Sequence, residues 1–149
     1  MTDESATSSN IPAVPIWYWV AAVGALLFEC LGCFFYLSEV RLTPEQIATM
    51  PLDQAALLSG RPAWYYAAFA VAVWVGLAGS AGLLLRKAWA VPMLLVSLIA
   101  VIVQFSAVLI VPEMRGVSSD ALLGPIVVAL VCYGIYMLAR LAKRRGWLR

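Results

Sequence analysis

The chain has no histidine, and only 12% of its 149 residues are charged. The lack of histidine removes the commonest general base and the commonest metal ligand. A formal net charge of +2 gives no basic surface that could neutralise phosphates, which excludes a nucleic-acid-binding protein. Soluble domains are about 45–50% apolar, whereas 64% of this chain is apolar. The composition therefore excludes an ordinary water-soluble domain and indicates a membrane protein.

Four apolar runs are long enough to cross a bilayer core, which takes about 20 helical residues. They cover residues 16–37, 63–85, 89–111 and 121–141. Backbone groups in lipid have to be hydrogen-bonded within the protein, so we expect helices rather than strands. The predicted fold class is an all-α membrane protein, a four-helix transmembrane bundle.

Basic residues concentrate at one end of this predicted bundle. Arg86 and Lys87 connect the second and third spans, and more basic residues follow the fourth. By the positive-inside rule we predict that both termini are cytoplasmic, which fits a protein of the cytoplasmic membrane. Within the tail, three residues are expected to meet anionic lipid headgroups: Lys143, Arg144 and Arg145.

The segments outside the spans are expected to be tails and loops. Residues 1–15 are polar and rich in Ser, Thr and Pro, which predicts a disordered cytoplasmic tail. Residues 142–149 form a basic cytoplasmic tail. Since no basic region precedes the first span, a cleaved signal peptide is not expected.

The connection between the first two spans carries helix signals. Thr43-Pro44-Glu45-Gln46 is typical of a capping box with proline at the first helical position. Pro51 restarts or kinks the segment, and Ser59-Gly60-Arg61-Pro62 ends it. We predict a short amphipathic helix that lies on the membrane surface or caps the bundle. A lid over a cavity is the alternative.

Glu29 is the most informative polar residue, because a carboxylate in mid-membrane is costly and by default faces the bundle interior. At about 1.5 Å per residue, Glu29 and Gln104 reach similar depths in their spans. Tyr133 reaches this layer or lies a turn below it. The three residues are a candidate ligand or proton site. The alternative is that Glu29 is protonated and hydrogen-bonded, and only holds helices together.

Small residues recur every four positions in the second span, at Ala68, Ala72, Gly76 and Ser80. Such a stripe lets helices approach closely, either within the chain or at the seam of a homo-oligomer. Because four helices bury few of their own faces, an oligomer is a reasonable expectation.

Cys30 and Cys33 form a C-x-x-C pair inside the first span, and Cys132 lies in the fourth. Membrane thiol oxidases need an exposed pair and a second pair with which to exchange. Three cysteines without histidine also make a poor metal site. We therefore interpret these residues as small buried apolar groups.

Short runs along nearly the whole chain share their order and spacing with those of a known group. They are Trp17-Tyr18-Trp19, Thr43-Pro44-Glu45-Gln46, Pro62-Ala63-Trp64, Ala72-Val73-Trp74, Gly79-Ser80, Leu84-Leu85-Arg86, Trp89-Ala90-Val91-Pro92, Ser97-Leu98 and Arg145-Gly146-Trp147-Leu148-Arg149. On these runs the chain resembles small bacterial four-helix membrane proteins often labelled "sugar transporter" without a demonstrated activity. That group often has Asn where Glu29 stands and Asp where Phe35 stands. The resemblance implies that the chain is a member of this group, but it does not indicate a substrate.

Three functions remain open from the sequence. The first is binding or transport of a small molecule by an oligomer, with Glu29 and Gln104 lining the site. The second is an accessory subunit of a larger membrane complex, and the remote third is a membrane thiol oxidoreductase. The sequence has no nucleotide-binding loop and no nucleophile triad, so we expect neither a cofactor nor an enzyme.

Overall fold

In a computed structural model, residues 13–114 and 119–149 are described, and their regular structure is entirely helical. The helices are α1 (Ile16–Val40), α2 (Pro44–Ala48), α3 (Leu52–Ser59), α4 (Ala63–Leu84), α5 (Ala90–Ile110) and α6 (Ser119–Arg144), with a 3-10 turn at Pro112–Met114. Four of them, α1, α4, α5 and α6, are long and apolar enough to cross a membrane. The prediction of an all-α protein with four such helices is confirmed.

The helix ends differ from the predicted spans by up to three residues. Helix α1 continues to Val40 instead of ending at residue 37, and α6 runs from Ser119 to Arg144 instead of covering residues 121–141. Helical hydrogen bonds continue into polar sequence, whereas hydropathy delimits only the apolar part. The predicted tail over residues 1–15 falls mostly outside the described residues.

The four long helices pack in the order α1, α4, α5, α6, and each contacts the next. By contrast, the backbones of α1 and α6 hardly approach one another, so the bundle has a gap on that side. We call the end that holds Ile16, Leu84, Ala90 and Arg144 the terminal end. The opposite end, which holds Val40, Ala63 and Ile110, is the loop end.

Helix α4 lies at the centre of the packing because its small residues admit close neighbours. A Cβ atom at Gly79 would lie 2.7 Å from Cγ of Leu94 on α5. The Ser97 hydroxyl donates a hydrogen bond of 2.7 Å to the carbonyl of Ala72. In the predicted stripe, Ala68 is half-buried and Ala72, Gly76 and Ser80 are buried. The stripe therefore packs within one chain, which supports the first of its two interpretations.

A dense apolar cluster fills the terminal end. Tyr18 is fully buried, and its hydroxyl donates a hydrogen bond of 2.7 Å to the carbonyl of Leu83. Trp147 is 4% exposed, and its ring lies edge-on to Tyr18 and to Trp17, with centroids 5.6 Å apart in both pairs. This packing closes the bundle where the start of α1 meets residues 147 and 148.

Two left-handed residues turn the chain back into that cluster. Gly146, with φ of 70°, ends α6, and the Trp147 amide then donates to the carbonyl of Ala142 at 2.9 Å. Arg86 ends α4 with φ of 56°, a conformation that costs a residue with a side chain about 1–2 kcal/mol. Its Nε donates to the Trp147 carbonyl at 2.8 Å, and its own carbonyl accepts from the Arg149 amide at 2.7 Å.

The basic side chains of this tail stay on the surface. Lys143, Arg144 and Arg145 are exposed, and the Arg145 guanidinium lies 5.2 Å from the centre of the Trp147 ring. They are therefore free to reach a lipid surface, and contact with headgroups stays a prediction.

Two short helices, rather than the single one expected, connect α1 to α4. The predicted capping box is confirmed: the Thr43 amide donates to Oε1 of Gln46 at 3.0 Å, and the Gln46 amide donates to Oγ1 of Thr43 at 3.3 Å. Helix α3 starts directly after Pro51 and ends at Ser59, as the stop signal indicated. The proline, which lacks an amide proton, separates the two helices.

Replacing Thr43 by alanine is expected to destabilise α2 by about 1 kcal/mol, because the Gln46 amide loses its cap. Amides of residues 45–48 should then exchange hydrogen about fivefold faster, measured by mass spectrometry of peptide fragments. Ser38→Ala is the control, since that hydroxyl bonds a carbonyl of its own helix. Equal exchange of α2 in the two variants would contradict the role of the cap.

Candidate functional site

A cavity of about 450 Å³ lies among α1, α4, α5 and α6, and we call it the central cavity. It extends from Glu29 to Glu39 and Arg61 at the loop end. On the other side of Glu29, the apolar cluster of Tyr18 and Trp147 closes the bundle. The volume is within the range of sites for small molecules, about 300–1,000 Å³.

Glu29 belongs to the buried face of α1, whose members are spaced three or four residues apart: Tyr18, Ala22, Ala25, Glu29 and Cys33. Only 4% of Glu29 is exposed, and its carboxyl group lines the central cavity. Within the described part of the chain it has neither a hydrogen-bond partner nor an ion-pair partner. The alternative interpretation was that Glu29 only holds helices together through a hydrogen bond. Among these residues, no group makes such a bond with its carboxyl group.

Gly76 of α4 makes the room that the Glu29 carboxyl group occupies. A Cβ atom on Gly76 would lie 2.6 Å from Cδ and 2.7 Å from Oε1 of Glu29. Carbon atoms in contact are about 3.5–4.0 Å apart, so even a methyl group at Gly76 would displace the carboxyl group. The sequence placed Gly76 in a packing stripe but did not connect it with Glu29.

Gln104 of α5 is 4% exposed and also lines the cavity. Its Nε2 donates a hydrogen bond of 3.1 Å to the hydroxyl of Tyr65, which is itself 6% exposed. This bond leaves the amide oxygen of Gln104 and the phenol proton of Tyr65 available to a ligand.

Tyr65 was not among the candidate site residues of the sequence analysis. A signal was present, because Tyr65 lies seven residues before Ala72 and so on the buried face of α4. The side chain is long enough to reach from the loop end to the layer of Gln104.

Tyr133 does not join Glu29 and Gln104. It is 52% exposed and does not line the central cavity, whereas its neighbour Cys132 does. The depth of Tyr133 along its helix was estimated from spacing, but one residue turns a helix by about 100°. Its predicted place in the polar cluster is corrected here, because rotation about the helix axis is set by packing.

An ion pair lies where the central cavity meets the loop end. The Arg61 guanidinium contacts the Glu39 carboxylate and also lies 4.8 Å from the centre of the Tyr65 ring. The pair connects the end of α1 to the segment before α4. The sequence analysis did not predict this pairing.

The rest of the lining is apolar, and much of it is aromatic. Five rings contribute to it: Phe28, Phe35, Tyr65, Phe69 and Phe105. Each long helix except α6 supplies at least one of them. The cavity therefore combines one isolated carboxyl group, one oriented amide and an apolar wall that includes five aromatic rings.

The cysteines are all free and lie in three different surroundings. Cys30 is exposed, Cys33 is buried with its Sγ 3.7 Å from the carbonyl oxygen of Val73, and Cys132 lines the cavity. The C-x-x-C residues thus occupy opposite environments on α1. Over the described residues there is no group of three or more His, Cys, Asp or Glu side chains that could hold a metal ion.

Comparisons with known proteins give no match to a family model, a curated protein or a solved structure. Function is therefore argued from the geometry of the central cavity.

Proposed function

We propose that this chain is a multi-pass membrane protein that binds a small molecule in the central cavity and transports it. The carrying observation is the carboxyl group of Glu29, which is buried, faces a cavity of ligand size and has no partner among the described residues. An ionisable side chain inside a membrane is costly, so such residues mark ligand, ion or proton sites by default.

The surrounding groups favour a binding site over a packing defect. Gln104 is held by Tyr65 and presents its free amide oxygen within the same cavity. A few fixed polar groups in an apolar wall are the usual composition of a small-molecule site. The polar groups would orient a ligand, and the wall would bury the rest of it.

The closed terminal end bears on how transport would work. Tyr18, Leu83 and Trp147 fill that end, so the path through one chain stops below Glu29. Binding from one side followed by release on the other requires this cluster to open or a second chain to complete the path. The proposal therefore includes a homo-oligomer.

The proposed orientation places the terminal end in the cytoplasm of a bacterium. The exposed Lys143, Arg144 and Arg145 support this side, together with Arg86 and Lys87. The loop end, with α2 and α3, then faces outward. We propose that α2 and α3 lie on the membrane surface beside the mouth of the cavity.

The test is native mass spectrometry of the protein extracted gently from its own membranes. The wild type should retain a small molecule, and Glu29→Gln should retain at least about tenfold less of it, because the amide cannot carry the charge of the carboxylate. Glu45→Gln is the matched control, since Glu45 is exposed on α2. Equal elution in gel filtration would show that both variants are folded.

Two results would overturn this proposal. One is a wild-type protein without any retained molecule, or with one that Glu29→Gln retains equally. The other is an assembly with different polypeptides and no small ligand, which would favour the accessory-subunit alternative.

A further inference from the structure

We propose that the ligand of the central cavity is a lipophilic organic monocation, which exchanges with a proton at Glu29. This inference rests on the proposed function and adds the chemical class of the ligand. It is carried by the charge of the cavity, by the chemistry of its wall and by the gap that leads to it.

The charge of the described lining comes from three residues, Glu29, Glu39 and Arg61. Glu39 and Arg61 neutralise each other in their ion pair, which leaves one acid without a counter-charge. An isolated buried carboxylate is so costly that it either binds a cation or takes up a proton. A ligand with a single positive charge would therefore complete the site.

The wall excludes the two simplest alternatives to an organic cation. A hard metal ion takes about six to eight oxygen ligands, whereas among the described residues of the inner cavity only Glu29, Gln104 and Tyr65 have side-chain oxygen atoms. A sugar needs a partner for each hydroxyl group, and aliphatic and aromatic side chains supply few. Aromatic faces, in contrast, attract organic cations and also bury their apolar parts.

The gap between α1 and α6 explains how a lipophilic molecule would reach this site. A second groove of about 320 Å³ follows the gap, lined by residues of α1 and α6 such as Gly24 and Gly134. A Cβ atom at either glycine would meet nothing within 4 Å. Phe28 lines both this groove and the central cavity, so its side chain borders both spaces.

Exchange with a proton follows from the presence of one acid. Among the described residues, the titratable groups that interact electrostatically with Glu29 are the thiols of Cys33, on its own helix, and Cys132, on α6. Helix α4 presents Gly76 to it, and α5 contributes Gln104 to the same cavity; neither residue titrates. The Tyr65 phenol of α4 also lines the cavity, where it accepts the hydrogen bond from Gln104. Protonation of Glu29 removes the charge that holds the cation, so cation affinity should fall as pH falls.

The experiment measures equilibrium binding of tetraphenylphosphonium to the full chain in detergent micelles. Tetraphenylborate, of nearly the same shape and opposite charge, is the control ligand. The wild type should bind the cation at least about tenfold more tightly than the anion, and at least about tenfold more tightly near pH 8 than near pH 5. Glu29→Gln should bind the cation at least about tenfold more weakly, with no pH dependence, whereas Glu45→Gln should match the wild type.

Equal affinity for the two ions, or unchanged cation binding in Glu29→Gln, would overturn the inference. Its failure is distinguishable from that of the proposed function. If the wild type binds no phosphonium but native mass spectrometry finds a molecule that depends on Glu29, then the site stands and the cation class is wrong. If neither is found, both proposals fail.

Discussion

Replacing Gly76 by alanine is expected to reduce ligand affinity about tenfold while leaving the bundle folded. The added Cβ would lie 2.6 Å from Cδ of Glu29, so one of the two has to move. Helix α4 cannot easily retreat, because Gly79 is already in close contact with Leu94 of α5. The carboxyl group would therefore be displaced from its position in the cavity, and its interaction with a bound ligand would weaken.

Stability should change much less than affinity in this variant. Alanine is favoured over glycine in a helix by about 1 kcal/mol, which offsets part of the crowding. Affinity is measured with tetraphenylphosphonium and with the molecule retained in native mass spectrometry. The expected loss of affinity is no larger than that of Glu29→Gln, because the displaced carboxyl group keeps its charge whereas glutamine has none.

Gly24→Ala is the matched control for this experiment. It makes the same chemical change on α1, where the new Cβ meets nothing within 4 Å. Gly24 lines the groove between α1 and α6 and not the central cavity, so the affinity at equilibrium should not depend on it. Its affinity should stay within about twofold of the wild type. If Gly76→Ala bound as tightly as Gly24→Ala, then the position of the Glu29 carboxyl group would not matter for binding.

Replacing Trp147 by alanine is expected to lower the free energy of unfolding by about 3–5 kcal/mol. The ring is 4% exposed and packs against both Tyr18 and Trp17, so its removal leaves a void at the terminal end. Unfolding of the protein in mixed micelles by increasing amounts of sodium dodecyl sulfate, followed by circular dichroism, gives the free energy.

Trp74→Ala tests whether the loss of unfolding free energy comes from the packing of Trp147 or would follow the removal of any tryptophan. Trp74 is 47% exposed on α4, and its loss should cost less than about 1 kcal/mol. Equal destabilisation by the two substitutions would contradict the structural role of Trp147. If Trp147→Ala unfolded only the C-terminal tail and left the four helices intact, the decrease in the free energy of unfolding would also be below the expected range.

The parts of the fold that the sequence predicted are those with local physical causes. The four long helices follow from apolar length, since a backbone in lipid has to satisfy its own hydrogen bonds. The cap of α2 follows from Thr43 and Gln46, which lie one turn apart. Glu29 and Gln104 were found because polar side chains inside a membrane are rare and costly.

The remaining features depend on how helices rotate and approach each other. Cys132 rather than Tyr133 reaches the cavity because packing sets the rotation of α6. The pairing of Glu39 with Arg61 joins two segments that no spacing rule connects. The left-handed conformation of Arg86 could not be predicted from the sequence either. A residue with a side chain adopts that conformation only where its surroundings offset the cost in energy.

The closed terminal end also imposes an order on biosynthesis. The ring of Tyr18 is among the first parts of the described chain to leave the ribosome, and its partner Trp147 is among the last. Chains are synthesised from the N-terminus, so an early segment can pack against a later one only after the later one has been made. Helix α1 can pack on α4 as soon as α4 has been inserted, but the seal around Tyr18 has to wait for the tail. If translation stopped before Trp147, the chain would thus contain all four long helices. Its terminal end would still be open and accessible to quality-control proteases.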